Sequence, residues 1–380
     1  MADAVAGARV SALFPFPRND RFSEWLQTPV PLESRHPRFD IRRAVPAEFD
    51  RIYDLVDDAF GIKRPRAHYD WLYRRNPHGF ARCWLAFDRA SGALVSSSGS
   101  WPWPIARGTE RVEGAQDGDT VVAPAWQRQG IDAARSLAWR SHPWRKTTVV
   151  LSWPNPKARA AGVKRGRGRQ IVGPVPKAVL VLNARSYLTE QRWPALLSAA
   201  GGAAADATFG AWRKIVLHNG GGLNVEPIRR FDSSVDEVTG RCMSWNGYWS
   251  PHDADFLNWR YLEHPVAQHL AFALVERGEL AGYYVLRVDG ARGWLSEFVT
   301  ATAPRAYAST LLLHAIGSAS RAGCTHLFFS APPRWRHWRF MRTAGFLPVP
   351  SGIYLWTASE LPDVTQLAEW QWVPGDLDFL

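Results

Sequence analysis

The residues Gln127-Arg128-Gln129-Gly130-Ile131-Asp132 stand between an apolar pair, Val121-Val122, and a segment with helical spacing, and their types suit an anion. An α-helix leaves its first N–H groups unpaired and carries partial positive charge at that end. A glycine there lets a ligand come close to the backbone, because no Cβ stands in the way. Gln127 and Gln129 add neutral donors and Arg128 a charge, so phosphate oxygens fit the corner. The same residues also fit an ordinary loop leading into a helix, since such corners are common in α/β folds. Just upstream, "QDGDTVV" carries Asp117 and Asp119 on the strand that approaches the corner. Period-two alternation puts both on one face, where a carboxylate could take the proton of an ammonium group. Asp-Gly is equally a turn signal.

A third chemical feature is "KARAAGVKRGRGR" (157–169), the densest basic stretch, which suits a phosphate, an acidic protein or RNA, or is a solvated loop. Other constellations are missing. The sequence has no H-E-x-x-H, no cysteines at metal-ligand spacing, no G-x-S-x-G and no Gly-Lys-Ser/Thr phosphate loop, so no metal site is expected.

The elements that must position these residues recur. Trp71-Leu72-Tyr73 followed by Pro77 matches Trp259-Arg260-Tyr261 followed by Pro265, 188 residues on. "WLAFDRASGALVSSS" (84–98) and "FALVERGELAGYYVL" (272–286) both read as strand, tight turn and strand. "TTVVLSWPNP" (147–156) and "THLFFSAPPR" (325–334) both end an apolar run in Ser-x-Pro. Three echoes in one order point to a diverged tandem duplication. In the first copy, a strand (39–45) leads to a helix with Ile52, Leu55, Val56 and Phe60 at helical spacing. A second helix over 66–76, a hairpin over 83–106, a strand over 112–123, a helix over 127–140 and a strand over 147–152 follow, and "PKAVLVLN" (176–183) closes the unit. The second copy runs from "LNVEPIRRFD" (223–232) to "GIYLWT" (352–357), and the Ala/Gly-rich "SAAGGAAADATFG" (198–210) reads as a connector. The division expected is an N-terminal extension (1–38), a first unit (39–187), a connector (188–222), a second unit (223–358) and a tail (359–380).

The element order, the repeat and "VVAPAWQRQGI" resemble the GCN5-related N-acetyltransferase (GNAT) superfamily. Its members carry Gln/Arg-x-x-Gly-x-Gly/Ala after the fourth strand, where backbone holds the pyrophosphate of acetyl-coenzyme A. Gln127 matches the first position, Gly130 the glycine, and Val122-x-Pro124 the strand end before the loop; Asn155 in "WPNP" resembles an Asn that contacts coenzyme A. The resemblance spans roughly 39–183 and, more weakly, 223–357. It implies an α/β fold of two tandem GNAT-like units, each a mixed, mostly antiparallel sheet flanked by helices. It also implies acetyl-CoA or another acyl-CoA as donor and an amine-bearing acceptor. Cofactor-binding positions would be Val121, Val122, Gln127, Arg128, Gln129, Gly130, Ile131 and Asn155, with a strand N–H near Val121 or Val122 for the oxyanion. Asp117 and Asp119 are the candidate bases.

Departures from the pattern are specific. Asp132 replaces the last Gly/Ala of the motif; two charges ~6 Å apart at an effective dielectric of ~20 repel by roughly 3 kcal/mol, so Asp132 must turn away or be offset. No Tyr lies between Asn155 and Gly173 to serve as the family's general acid. In the second unit "PRAYASTLL" keeps Arg305 but puts Ala308 for the glycine and Thr310 at the end, and Met341 holds the usual Tyr position. The second unit is therefore expected to be degenerate and to shape the substrate groove.

The chain has 380 residues, a net charge of +11 and a pI of about 9.9. That balance favours anionic partners: a phosphate-bearing donor, an acidic acyl-carrier protein, or tRNA if the chain resembles aminoacyl-tRNA-dependent transferases, whose long helical arm is not found. Scattered basic residues argue against a plain nucleic-acid-binding protein. Cys83, Cys242 and Cys324 are few and widely spaced, there is no secretory signal, and no run is long enough to span a membrane, so a cytoplasmic protein is expected. Twenty Trp either fill cores and the junction of units or line a wide groove. A non-catalytic binding protein on an eroded transferase fold is the reading from another class.

Overall fold

The computed structural model describes residues 31–32, 36–142, 147–165, 170–242, 247–301, 305–358, 361, 364, 366 and 370–371. Strands β1 (Pro31–Leu32), β2 (Phe39–Arg43), β3 (Arg82–Asp88), β4 (Leu94–Pro102), β5 (Ile105–Arg107), β6 (Glu110–Val122), β7 (Thr148–Ser152) and β8 (Gln170–Pro174) build one sheet, interrupted by helices α1 (Phe49–Phe60), α2 (Arg66–Tyr73), α3 (Ile131–Ser141) and α4 (Pro156–Arg165). Then come β9 (Lys177–Val181), α5 (Ala184–Glu190) and α6 (Ala195–Val216). The second copy comprises β10 (Leu223–Pro227), α7 (Ser234–Cys242), β11 (Tyr248–Trp249), α8 (Ala254–Leu257), a π-helical turn over Asn258–Leu262, β12 (Gln268–Glu276), β13 (Glu279–Asp289), β14 (Arg292–Thr300), α9 (Arg305–Arg321), β15 (His326–Ser330), α10 (Trp338–Thr343), β16 (Leu347–Val349), β17 (Tyr354–Ala358) and β18 (Trp370–Gln371).

Two mixed sheets result, with helices on their faces, as the α/β expectation required. In the first, β1-β2-β3-β4-β6 run antiparallel, and β6 then pairs in parallel with β7. In the second, β10-β12-β13-β14 run antiparallel and β14 pairs in parallel with β15. In both units the parallel pair is joined through a helix, α3 or α9, as a parallel crossover demands. α1 forms where it does because Phe49, Ile52, Tyr53, Leu55 and Val56 fall on one buried stripe, and Gly61, at φ 64°, ends it in the left-handed conformation.

Three expectations need correcting. The strand at 176–183 does not close the first unit: β9 lies in the second sheet, antiparallel to β15 and β16. In return β17, from the end of the second copy, pairs with β7 and β8 of the first sheet. The copies exchange their late strands, because an apolar strand satisfies its ladder equally well in either sheet and sequence periodicity carries no address. The Ala/Gly-rich 198–210 is not a connector loop but the interior of the 22-residue helix α6; alanine has the highest helix propensity and outweighs the scattered glycines. The helix expected over 127–140 starts only at Ile131, leaving Gln127–Gly130 as loop.

The repeat has a physical centre. Trp71 Nε1 donates to the Trp259 carbonyl at 2.7 Å, and Trp259 Nε1 returns the bond to the Trp71 carbonyl at 2.9 Å. The two indoles stack, centroids 4.7 Å apart and 18° from parallel. Such reciprocity is what a local two-fold between the copies produces. Trp103 and Phe256 complete this junction, and Trp71, Trp84, Trp249, Trp259 and Trp370 are among the largest fully buried side chains. Packing of cores and junction is thus where much of the tryptophan goes.

Candidate functional site

The first corner is built by a strand that runs on alone. β6 pairs with the whole of β7, Glu113–Asp117 against Thr148–Ser152; β7 then ends, and the next five residues of β6 have no described partner on that side. Ala123 N–H donates to the Val95 carbonyl at 2.9 Å. By alternation the Val121 peptide also faces β4, and the Val122 N–H points away from β4, on the side where the ladder with β7 has ended. The Val121 carbonyl accepts from Ser96 Oγ at 2.7 Å, and its side chain is core.

The loop that follows is strained and tied down. Arg128 has φ 63° and Gly130 φ 81°. A left-handed non-glycine costs roughly 1–2 kcal/mol, and left-handed residues within a turn direct successive N–H groups toward one concavity, a nest for an anion. A Cβ on Gly130 would come no closer than 3.6 Å to His36, so backbone conformation rather than crowding demands the glycine. Among the described residues, the N–H groups of Arg128, Gln129, Gly130 and Ile131 meet no acceptor. Gln127 Nε2 donates to the Val122 carbonyl and Gln129 Nε2 to the Ala125 carbonyl, both at 3.3 Å, so the glutamines shape the loop. Ile131, 1% exposed, anchors the helix start in the core.

Two arginines complete this corner. Arg38 lies 4.6 Å from the Trp126 ring, pairs with Asp88 at 3.1 Å and donates to Gln129 Oε1 at 2.9 Å. Arg135, 3% exposed, donates to the Ser97 carbonyl and to Asp132 Oδ1 at 2.8 Å. Asp132, the departure from the family's motif, is therefore neutralised one turn along its own helix and drawn away from the loop amides. Asn155 is exposed and its Oδ1 accepts from Ala158 N–H at 2.8 Å, capping α4. Of the basic stretch, 157–165 is helical and 166–169 lies outside the described residues.

Asp117 and Asp119 do not share a face. Ser97 pairs with Val121 but Gly99 with Gly118, so β6 fits an extra residue into a bulge, with Asp119 at φ 44°. Gly118 and Asp119 both turn toward α1 and α2: a Cβ on Gly118 would strike the Trp101 ring. Asp119 accepts from Tyr73 OH at 3.0 Å and pairs with Arg64 at 3.0 Å. Burial, with Asp119 beside it, drives the Tyr73 hydroxyl well above its usual range. Asp117 lies on the other face, half-buried, accepting from Ser100 Oγ at 2.6 Å, opposite Ser152 at the end of β7.

The second unit repeats the tyrosine–carboxylate pair and closes the corner. Tyr261, 188 residues after Tyr73, donates to Glu297 at 2.5 Å, and Glu297 also meets His252 at 2.8 Å. Ala308, expected in the place of the loop glycine, is instead the fourth residue of α9, and it, Ser309 and Thr310 are buried within the helix. The chain leaving α6 lies on them: His218 N–H donates to Ser309 Oγ at 2.6 Å and Gly220 N–H to Thr310 Oγ1 at 2.9 Å. Met341 is a core residue, 0% exposed. Sequence reasoning did not find Arg38, Arg64 or Arg135. Only Arg135 had a signal, its i,i+3 spacing from Asp132.

No family model and no curated protein sequence matches the chain. Solved structures do. A conserved protein of unknown function from Enterococcus faecalis V583, a probable N-acyltransferase, superposes with a TM-score of 0.59 at 12% identity, covering 84% of this chain and 71% of that one. A GCN5-related N-acetyltransferase from Anabaena variabilis ATCC 29413 gives 0.57 at 9%, covering 84% and 72%. A tandem GNAT protein from the clavulanic acid biosynthesis pathway gives 0.50 at 15%, covering 87% and 98%. The fold is a tandem GNAT fold. At these identities the likeness speaks for the architecture.

Proposed function

We propose that the protein is an acyl-coenzyme A-dependent N-acyltransferase whose first unit holds the donor and whose second unit shapes the acceptor groove. The strained loop at Arg128–Ile131, beyond the end of the ladder between β6 and β7, carries this reading, together with the tandem GNAT fold. In it, loop amides and the Arg128 side chain hold the donor's pyrophosphate. The Val122 N–H faces the thioester oxygen that turns negative as the amine attacks. Asp117, held by Ser100, takes the proton of the incoming ammonium group. Asp119, already engaged by Arg64 and Tyr73, positions the bulge instead. Acetyl-coenzyme A is the first donor to test. Isothermal titration should give a one-site isotherm, and neither heat nor thermal shift at millimolar ligand would refute the reading. The capping role of Asn155 favours a second reading, a non-catalytic binder of the same ligand; binding without amine-dependent thiol release would select it.

A further inference from the structure

α6 is the least explained element. Of its 22 residues only Ser198, Gly202 and Val216 are buried. Gly202 brings it hard against α5, where a Cβ would come within 2.5 Å of the Arg185 Cα. The opposite face is apolar and open among the described residues: Leu196 is 86% exposed, Leu197 56% and Ile215 68%, with Trp193 just ahead at 54%. From Trp193 to Trp212 the only charge is Asp206, and it turns inward to accept the Ala184 N–H at 2.6 Å. Fully burying a leucine is worth about 1.5–3 kcal/mol, so a face of this kind is costly to leave in water.

We propose that this face pairs with α6 of a second copy of the chain, antiparallel about Ala204. Trp193, Leu197, Ala200, Ala204, Ala207 and Ala211 are all exposed and recur at alternating spacings of four and three, the period of a two-helix seam. Turning the seam end for end about Ala204 sets Trp193 opposite the partner's Ile215 and Leu197 opposite the partner's Ala211, while Trp212, off the seam, donates to the Thr343 carbonyl of its own chain. Large residues at each end meet across a middle of methyl groups, where two backbones come close. Lipid gains little from that alanine-lined middle, whereas a second helix gains its whole length. The helix is about 33 Å long, and one face of a cylinder about 10 Å across buries roughly 500 Å² per copy. The total, roughly 1,000 Å², is near the lower bound for a specific interface, so the dimer is reversible rather than obligate. This inference is independent of the transferase reading.

Sedimentation velocity on the full chain, from about 1 to 200 μM, should show a concentration-dependent monomer–dimer equilibrium. Ala204→Glu, an exposed helix position, should weaken the dimer at least about 30-fold with unchanged circular dichroism. Under mild oxidation Ala204→Cys should crosslink to itself far faster than the wild type, and Leu196→Cys should not. A monomer at every concentration, a dimer indifferent to Ala204→Glu, or equal crosslinking at 196 and 204 would overturn the proposal. So would a monomer that binds anionic phospholipid vesicles and loses that binding on Ala204→Glu.

Discussion

Two helix starts occupy equivalent places in the two copies, that of α3 at Ile131 and that of α9 at Arg305, and their surroundings differ. At the first, two left-handed residues shape a loop beyond the end of the ladder between β6 and β7. At the second, the chain leaving α6 donates into the hydroxyls of Ser309 and Thr310 within α9. The tyrosine–carboxylate pairs show a parallel contrast: Asp119 is met by Arg64, which is part-exposed, whereas Glu297 is met by His252 in the interior. Duplication supplied two frames, and at the first the loop holds Arg128 and Gly130 left-handed. Strain at a site is held only where the surroundings over-determine it, and Ile131, Arg135 and Arg38 do so at the first corner.

The largest effect should come from Gly130→Val. A β-branched residue at φ 81° disrupts the nest, so titration with acetyl-coenzyme A should show affinity reduced about 100-fold or more; unchanged affinity would erase the distinction between the corners. Next, Glu297→Ala should lower unfolding free energy by roughly 3–5 kcal/mol, since it leaves His252 and Tyr261 buried without their carboxylate. Asp119→Ala should cost about half as much in urea denaturation, because Arg64 reaches water.

A pH series sharpens the contrast further. Burial pulls His68, near the first pair, down to about 4, with Arg64 adding to the effect. The folded state then binds fewer protons than the unfolded one between about pH 4 and 6.5, so stability is lost as pH falls through that window, by up to about 1.4 kcal/mol per unit for one proton. His68→Gln should flatten the slope there by up to one proton; a slope unaltered by the substitution would show that His68 does not titrate as buried. The smallest effect should be Asp132→Ala, which we expect to change donor affinity less than about threefold, because Arg135 already neutralises the carboxylate. A tenfold gain would mean that Asp132 still opposes the ligand.

Much of this was legible in the residues. The Trp-x-Tyr echo announced the duplication because aromatic anchors at a junction tolerate little change, and Gly130 announced its corner because few other residues hold a left-handed φ. The shared face for Asp117 and Asp119 was not legible: alternation assumes an unbroken strand, and the bulge at Asp119 is imposed by Trp101 packing on Gly118 across the sheet. The neutralisation of Asp132 was legible in part, through i,i+3 spacing, but that Arg135 also reaches the Ser97 carbonyl depends on how the helix lies on β4.

What the sequence determined by itself is local: which segments form strands and helices, where the backbone must turn left-handed, and that the unit occurs twice. These follow from side-chain sterics and hydrophobic period, which act over a few residues. Only the tertiary structure decided that β9 and β17 change sheets, that one corner is covered by the end of α6, and that α6 leaves an apolar face open. Each of those depends on which of several equally apolar surfaces finds its complement first in space, and no spacing along the chain encodes that choice.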